Sequence, residues 1–263
     1  MPKEKAGDFR DTIIELGKTK SSAISVFSDF TRAVACALAV QTREEEYLEV
    51  AGRYERGELE LFSKGMGQLI VEMEAKPFTD VLGPYYQEIA SPATLEARGE
   101  FYTPESISSL IGQLTLNPEE VIAEGKPVSI SEPCVGSGGM ILSIAKHFAA
   151  DKAVDLLRVS ATDVSPVACD MTYINTTLWG IPTAVTWGNT LTMDLQRTWK
   201  NIHWFRVGEE ERLKMLKLKD LLVSDFGYVA IPKDKPAEKK PEPTQEAPDT
   251  PQADEQGQFD LGL

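Results

Sequence analysis

Cysteine and histidine are nearly missing from this chain of 263 residues: three Cys (Cys36, Cys134, Cys169) and two His (His147, His203) stand at irregular spacing. That excludes a disulfide framework and the paired spacing of a zinc site, so no metal is expected. Long apolar runs are missing too. The longest, around Ala33 to Val40, falls far short of the about 20 residues that span a bilayer. Met1-Pro2-Lys3-Glu4-Lys5 is not followed by the apolar segment of a secretion signal. A cytoplasmic protein without membrane contact is expected. Basic residues are in deficit, 27 Lys and Arg against 41 Asp and Glu, for a net charge of -14. Such a chain is a poor generic binder of nucleic acid, because Lys and Arg facing phosphates supply most non-specific affinity. A role on DNA would need a local basic face or a partner.

What is present falls into three textures. Residues 1–95 read as a helical subdomain, with Ile13, Leu16, Ile24, Phe27, Phe30, Val34, Leu61, Leu69 and Met73 recurring at helical spacing. The stretch from Asp29 to Val40 is apolar nearly all round, which predicts a helix buried against its neighbours. Residues 96–232 alternate strand and helix. Strands are predicted at Val128–Ile130, Leu156–Ala161, Ala184–Trp187 and Leu221–Ser224, with helices at Met140–Phe148, Pro166–Leu178 and Glu209–Asp220. Strands separated by crossover helices imply a parallel sheet. Residues 233–263 carry four Lys against eight Asp and Glu, so -4 of the -14, leaving -10 for the remainder. No large apolar residue occurs from Lys233 to Gly257. That composition cannot order itself, and a disordered acidic tail is expected.

The strongest local signal is Ser131-Glu132-Pro133-Cys134-Val135-Gly136-Ser137-Gly138-Gly139, which closes the first strand and opens a helix. Glycines there admit a ligand close to the backbone, and a helix N-terminus offers free N–H groups. The second strand ends in Asp163, where a doubly wound sheet holds ribose hydroxyls. A helix-capping role for Asp163, ahead of Pro166, stands beside that reading.

Together with Gly99-Glu100-Phe101-Tyr102-Thr103-Pro104, this loop resembles the adenine-specific (N6) DNA methyltransferases, most of all the modification subunit of type I restriction-modification systems. The likeness runs over roughly residues 80–230. It continues through Asn175-Thr176-Thr177-Leu178-Trp179-Gly180 and Gly188-Asn189-Thr190-Leu191. It implies an α/β fold: a Rossmann-like S-adenosylmethionine-dependent methyltransferase core, shortened, behind an all-helical N-terminal subdomain. It implies S-adenosylmethionine as cofactor. Phe101, Thr103 and Pro104 would border the methionine end, Glu132, Gly136 and Gly138 would form the loop beneath it, Asp163 would take the ribose, and Asn189 would reach the adenine. Cys134 reads as a small packing residue.

The family's catalytic signature, Asn/Asp-Pro-Pro-Tyr/Phe, aligns with Asp225-Phe226-Gly227-Tyr228. Asp225 could still accept a hydrogen bond from the target amine and Tyr228 could still stack on a flipped base. Phe226 and Gly227 replace both prolines, and the rigid carbonyl placement goes with them. Two functions are therefore expected from this resemblance. One is transfer of a methyl group to adenine N6 in DNA, with Asp225 and Tyr228 catalytic. The alternative is an inactive relative, an adaptor linked to DNA replication or restriction. The shortened domain would leave its last strand at an open sheet edge, which calls for a covering element or a further subunit. The chain closes with Gln258-Phe259-Asp260-Leu261-Gly262-Leu263. Gln258, Phe259, Leu261 and Leu263 resemble the short peptides that replication proteins insert into the bacterial sliding clamp, an implied partner.

Overall fold

The computed structural model describes residues 8–207, apart from 21, 41, 92, 94, 96–99 and 101–102. Within them lie a four-stranded sheet and ten α-helices. The expected elements at 208–232 and the tail at 233–263 lie outside the described residues.

Five helices come first: α1 (Phe9–Thr19), α2 (Ala23–Leu38), α3 (Glu44–Ala51), α4 (Arg56–Ala75) and α5 (Leu82–Ile89). Side chains of Asp8 and Ser22 cap α1 and α2 by accepting from backbone N–H groups. Their shared core is aromatic. Phe9 and Phe27 both meet the Tyr85 ring edge-on, at 5.3 and 5.5 Å, and Phe30 meets Phe62 at 5.6 Å. Helix α2 is buried as its composition predicts, through Val26, Phe27, Phe30 and Ala33–Cys36.

Then come α6 (Glu105–Thr115), α7 (Pro118–Glu124), β1 (Val128–Glu132), α8 (Gly139–Ala149), a single 3₁₀ turn at Val154–Leu156, β2 (Leu157–Asp163), α9 (Pro166–Leu178), β3 (Thr183–Asn189), β4 (Asp194–Lys200) and α10 (Ile202–Val207). The sheet runs β1-β2-β3-β4. β1, β2 and β3 are parallel, with Ile130 beside Val159 and Ala161 beside Val185. β4 is antiparallel to β3, with Thr186 beside Thr198. β4 is a strand that the sequence pattern does not predict; the strand expected at Leu221–Ser224 lies outside the described residues. The physical reason is that only Trp199 of β4 is buried, so the strand carries no apolar alternation. A register shift sits at Trp187/Gly188, where a Cβ on Gly188 would stand 2.6 Å from the Asp194 carbonyl.

Helix α9 is buried along nearly its whole length, from Ala168 to Thr177, because it lies between β2/β3 and α2. The helical segment and the α/β segment therefore share one core. They also share a charge network. Arg43, whose side chain has no exposure, donates through Nη2 to Asp170 of α9 at 2.9 Å and to Glu46 at 2.7 Å. Asp170, 1% exposed, accepts a second bond from Arg32. Glu46 also accepts from Arg197 at 3.0 Å and from the Trp199 indole at 3.1 Å, both on β4. The Arg43 guanidinium lies 4.3 Å from the Trp199 ring centre, and that face covers a cation whose Nη1 finds no hydrogen-bond partner among the described residues. Burial alone would lower the Arg43 pKa, but the Glu46 hydrogen bond and the Asp170 charge outweigh it and raise it. Glu46 is held below the ordinary carboxylate range, since the Arg43 bond and charge exceed its own burial penalty.

Helix α6 departs from amphipathic logic. It turns Ser108 and Gly112 inward against α8, Gly112 lying over Ile144. Ile107, Leu110, Ile111 and Leu114, one helical stripe, face outward. Among the described residues no helix is long and apolar enough to cross a membrane.

Removing one member of a buried ion pair leaves its partner's charge uncompensated, at a cost of about 3–5 kcal/mol. Asp170→Ala should lower the unfolding free energy in urea by that amount. Glu49→Ala, which loses only the solvent-exposed pair with Arg53, should change it by less than about 1 kcal/mol.

Candidate functional site

The glycine-rich turn begins where β1 ends and α8 starts. Gly136 and Gly138 have φ of +57° and +89°, so the chain turns through left-handed conformations that favour glycine. Gly138 is the N-cap of α8, packed against Thr172. The turn is held at three points. Gly136 N–H donates to the Asp163 carboxylate at 2.8 Å. Thr172 Oγ1 donates to the Gly136 carbonyl at 2.8 Å. The third hold comes from outside the sheet: Ser137 Oγ donates to Asp80, just ahead of α5. Asn175, fully buried in α9, spans that contact. Its Nδ2 donates to the Ser137 carbonyl at 2.8 Å and to Asp80 Oδ1 at 3.1 Å.

A cleft of about 240 Å³ opens in front of the turn. Thr103, Pro104, Glu132 and Gly136, four of the residues singled out from the sequence, line it. Phe78, Asp80 and Ser108 line it as well. Among the described residues no Lys, Arg or His lines it, whereas two carboxylates do, those of Asp80 and Glu132. Ser108 is 1% exposed and its hydroxyl has no partner among the described residues. Burial pushes the Asp80, Glu132 and Asp163 carboxyls above the ordinary range. For Glu132 the neighbouring Asp163 adds to that, and for Asp163 the charge of Glu100 does. Such a raised pKa means that ionisation at neutral pH opposes folding, and acidification relieves that cost. Acidification would meanwhile strip the cleft of the charge that a cationic ligand needs.

Other site residues stand apart from this cleft. Asp163 lies behind the turn, and its second oxygen accepts from Ser165 N–H at 2.9 Å. It does not cap α9, as its position before Pro166 suggests it could. Ser165 does that by accepting from Ala168 N–H, and Asp163 instead struts the glycine turn. Asn189, at the tip of β3, accepts from Leu191 and Thr192 N–H at 2.9 and 3.2 Å, so its carbonyl shapes the β3–β4 turn and its amino group is what remains for a ligand. Thr190 ties that turn to the glycine turn through the Pro133 carbonyl, at 2.8 Å. Cys134 is exposed and borders the cleft, not a packing residue as expected, because the chain is already leaving the sheet at that point. Phe101, Asp225, Tyr228, Gln258, Phe259, Leu261 and Leu263 lie outside the described residues.

Three features escaped the sequence reading. Asp80 and Ser108 had no motif to mark them. Val164 and Leu191, next to Asp163 and near Asn189, are 57% and 94% exposed at the strand tips. Two bare apolar side chains beside two polar ones were the available signal, for they suit the faces of a planar ring.

A glycine turn strutted by the acid of the next strand, at the C-terminal ends of parallel strands, is the arrangement at which doubly wound α/β folds hold nucleoside ligands. Comparison gives the particular likeness: residues 78–207 match the family model of N-6 DNA methylases. A crystal structure described as that of a class I S-adenosylmethionine-dependent methyltransferase from Listeria monocytogenes is also similar, at 15% identity and a TM-score of 0.37. The similarity covers 67% of this chain and 51% of that one, so the chain spans about half that protein's length. No curated protein matches the chain.

Replacing Gly138 by valine forces a β-branched residue to φ +89° against Thr172. Gly138→Val should cost about 1–3 kcal/mol in chemical unfolding. Gly139→Ala, inside α8 with its nearest foreign atom 3.9 Å from the new Cβ, should be neutral or stabilising by up to about 1 kcal/mol.

Proposed function

We propose that this chain binds S-adenosylmethionine and serves methylation of adenine N6 in DNA. The observation that carries the reading is a cleft at a glycine turn whose charged lining, among the described residues, is two carboxylates, within a stretch that matches the N-6 DNA methylase family model. Glycine turns at helix N-termini commonly hold phosphates. Two carboxylates, with no basic side chain beside them among the described residues, oppose a phosphate and favour a cation. S-adenosylmethionine carries a sulfonium and an ammonium against one carboxylate, and when bound it supplies an electrophilic methyl group.

The chain's own residues then divide the work. Thr103, Pro104, Glu132 and Gly136 enclose the amino-acid end. Asp163, with lone pairs left beyond its two backbone bonds, takes ribose hydroxyls, and the Asn189 amino group reaches the adenine edge. Val164 and Leu191 cover the ring faces. Asp225 and Tyr228 would receive the target base, Asp225 accepting from its exocyclic amine and Tyr228 stacking on it. A second reading is favoured by Phe226 and Gly227 in place of two prolines: a relative that keeps the cofactor and works by protein contacts. In that reading Gln258, Phe259, Leu261 and Leu263 bring the sliding clamp and thereby DNA, which a net charge of -14 does not attract.

Calorimetry should detect S-adenosylmethionine binding to the full chain, and no binding at millimolar cofactor would remove the proposal. Because burial raises the cleft carboxyls above their ordinary values, affinity should weaken on acidification at a higher pH than exposed carboxylates would require, and recover on return. With binding established, transfer of labelled methyl groups to adenine-containing DNA distinguishes the two readings. Asp225→Ala should abolish that transfer while leaving cofactor affinity unchanged if the chain is an enzyme.

A further inference from the structure

Asp80 belongs to none of the segments that mark this site in sequence, yet its carboxylate stands where the helical segment meets the glycine turn. Oδ1 accepts from Gly83 N–H and from Asn175 Nδ2, both at 3.1 Å. Oδ2 accepts from Ser137 Oγ. A carboxylate has about four lone-pair sites, so Oδ2 retains one. That oxygen lies beside Gly139, in the wall of the cleft, and Asp80 is half-buried there, partly open to it. Gly83 is needed for the arrangement, since a Cβ on it would collide with both the Asp80 carboxylate and the Ser137 hydroxyl. Nothing cationic among the described residues faces Asp80 from α5, α6, α9 or the glycine turn. The same wall holds the buried, unpartnered hydroxyl of Ser108.

We propose that Asp80 reads the α-ammonium of the cofactor's amino-acid moiety while holding the glycine turn through Ser137, and that the Ser108 hydroxyl meets the carboxylate of the same zwitterion. This rests on the cofactor reading above and adds two residues to it. A carboxylate already fixed by three donors offers its remaining lone pair without reorganising, the condition under which one charged hydrogen bond contributes most. The contact also ties ligand occupancy to α5, because the same side chain carries both.

The charge of Asp80 and its tethering of the turn are separable. In Asp80→Asn the amide still accepts from Gly83 and Asn175, and Ser137 can turn its hydroxyl to accept from the new amino group. The tether is kept and the charge lost. Calorimetry on the full chain with S-adenosylhomocysteine and with 5′-methylthioadenosine, which lacks the amino-acid moiety, reads the difference. Asp80→Asn should weaken S-adenosylhomocysteine by about ten- to a hundred-fold and 5′-methylthioadenosine by no more than about twofold. Ser137→Ala, which loses the tether and keeps the charge, should weaken both ligands alike. Equal losses for both ligands in Asp80→Asn, or no loss for either, overturn the proposal and leave the cofactor reading standing. Wild-type chain that binds neither ligand overturns the cofactor reading, and the proposal with it. Should Asp80→Asn fail to fold, the ligand side decides: a des-amino analogue of S-adenosylhomocysteine should bind wild type about ten- to a hundred-fold more weakly. That penalty should persist in Glu132→Gln, and its disappearance there would assign the ammonium to Glu132 instead.

Discussion

Glycines have no side chains with which to hold a turn in shape, so this site depends on how neighbours grip it. Two carboxylates do so from opposite directions. Asp163 reaches back from the end of β2 to the Gly136 amide, and Asp80 reaches in from the helical segment to Ser137. Asn175, with no exposure, closes the circuit by donating to both the turn and Asp80. The left-handed backbone at Gly136 and Gly138 is thereby fixed before any ligand arrives. Preorganisation of this kind is what allows weak polar contacts to discriminate between ligands.

Burial of charge follows the same economy elsewhere. Arg43 and Asp170 are wholly inside the protein, where unpaired they would be intolerable. Together with Arg32, Glu46 and the Trp199 ring they form a set in which each charge has an opposite neighbour. The set joins α2, α3, α9 and β4, elements distant in sequence. Apolar packing between α2 and α9 brings the layers together, and the charges permit one arrangement of them, since directional bonds tolerate little slippage. The helical segment is for this reason part of the site's foundation: it carries Asp80 at one end and grips α9, the bearer of Asn175, along its middle.

The sequence made much of this legible, and the limits have physical causes. Helices with apolar stripes, such as α1 and α2, and strands with alternating buried apolar residues, such as Leu157, Val159 and Ala161 of β2, announce themselves by periodicity. The glycine turn was visible because few other contexts need that many small residues after a strand. β4 was not, because its side chains face solvent and only Trp199 is buried. Asp80 and Ser108 were invisible for a different reason. Each is one common polar residue whose meaning comes from partners 57 positions away in Ser137, or from having none. Asp163 was read as a ligand for ribose or a helix cap, whereas its first duty is to a backbone amide, a bond no motif encodes. The outward stripe of α6 inverts the pattern that usually points to the core, so hydrophobicity alone would have turned that helix around.

The two borders of the sheet differ in what they permit. β4 presents Asp194, Gln196, Arg197 and Lys200, side chains that resist pairing with a further strand. β1 presents Ser129 and Ser131 between half-buried Val128 and Ile130, an uncharged row ending at Glu132. Among the described residues β1 is therefore the border better suited to a further strand, and it ends at Glu132, which lines the cleft. A polypeptide that paired there would lie next to the cleft in front of the glycine turn.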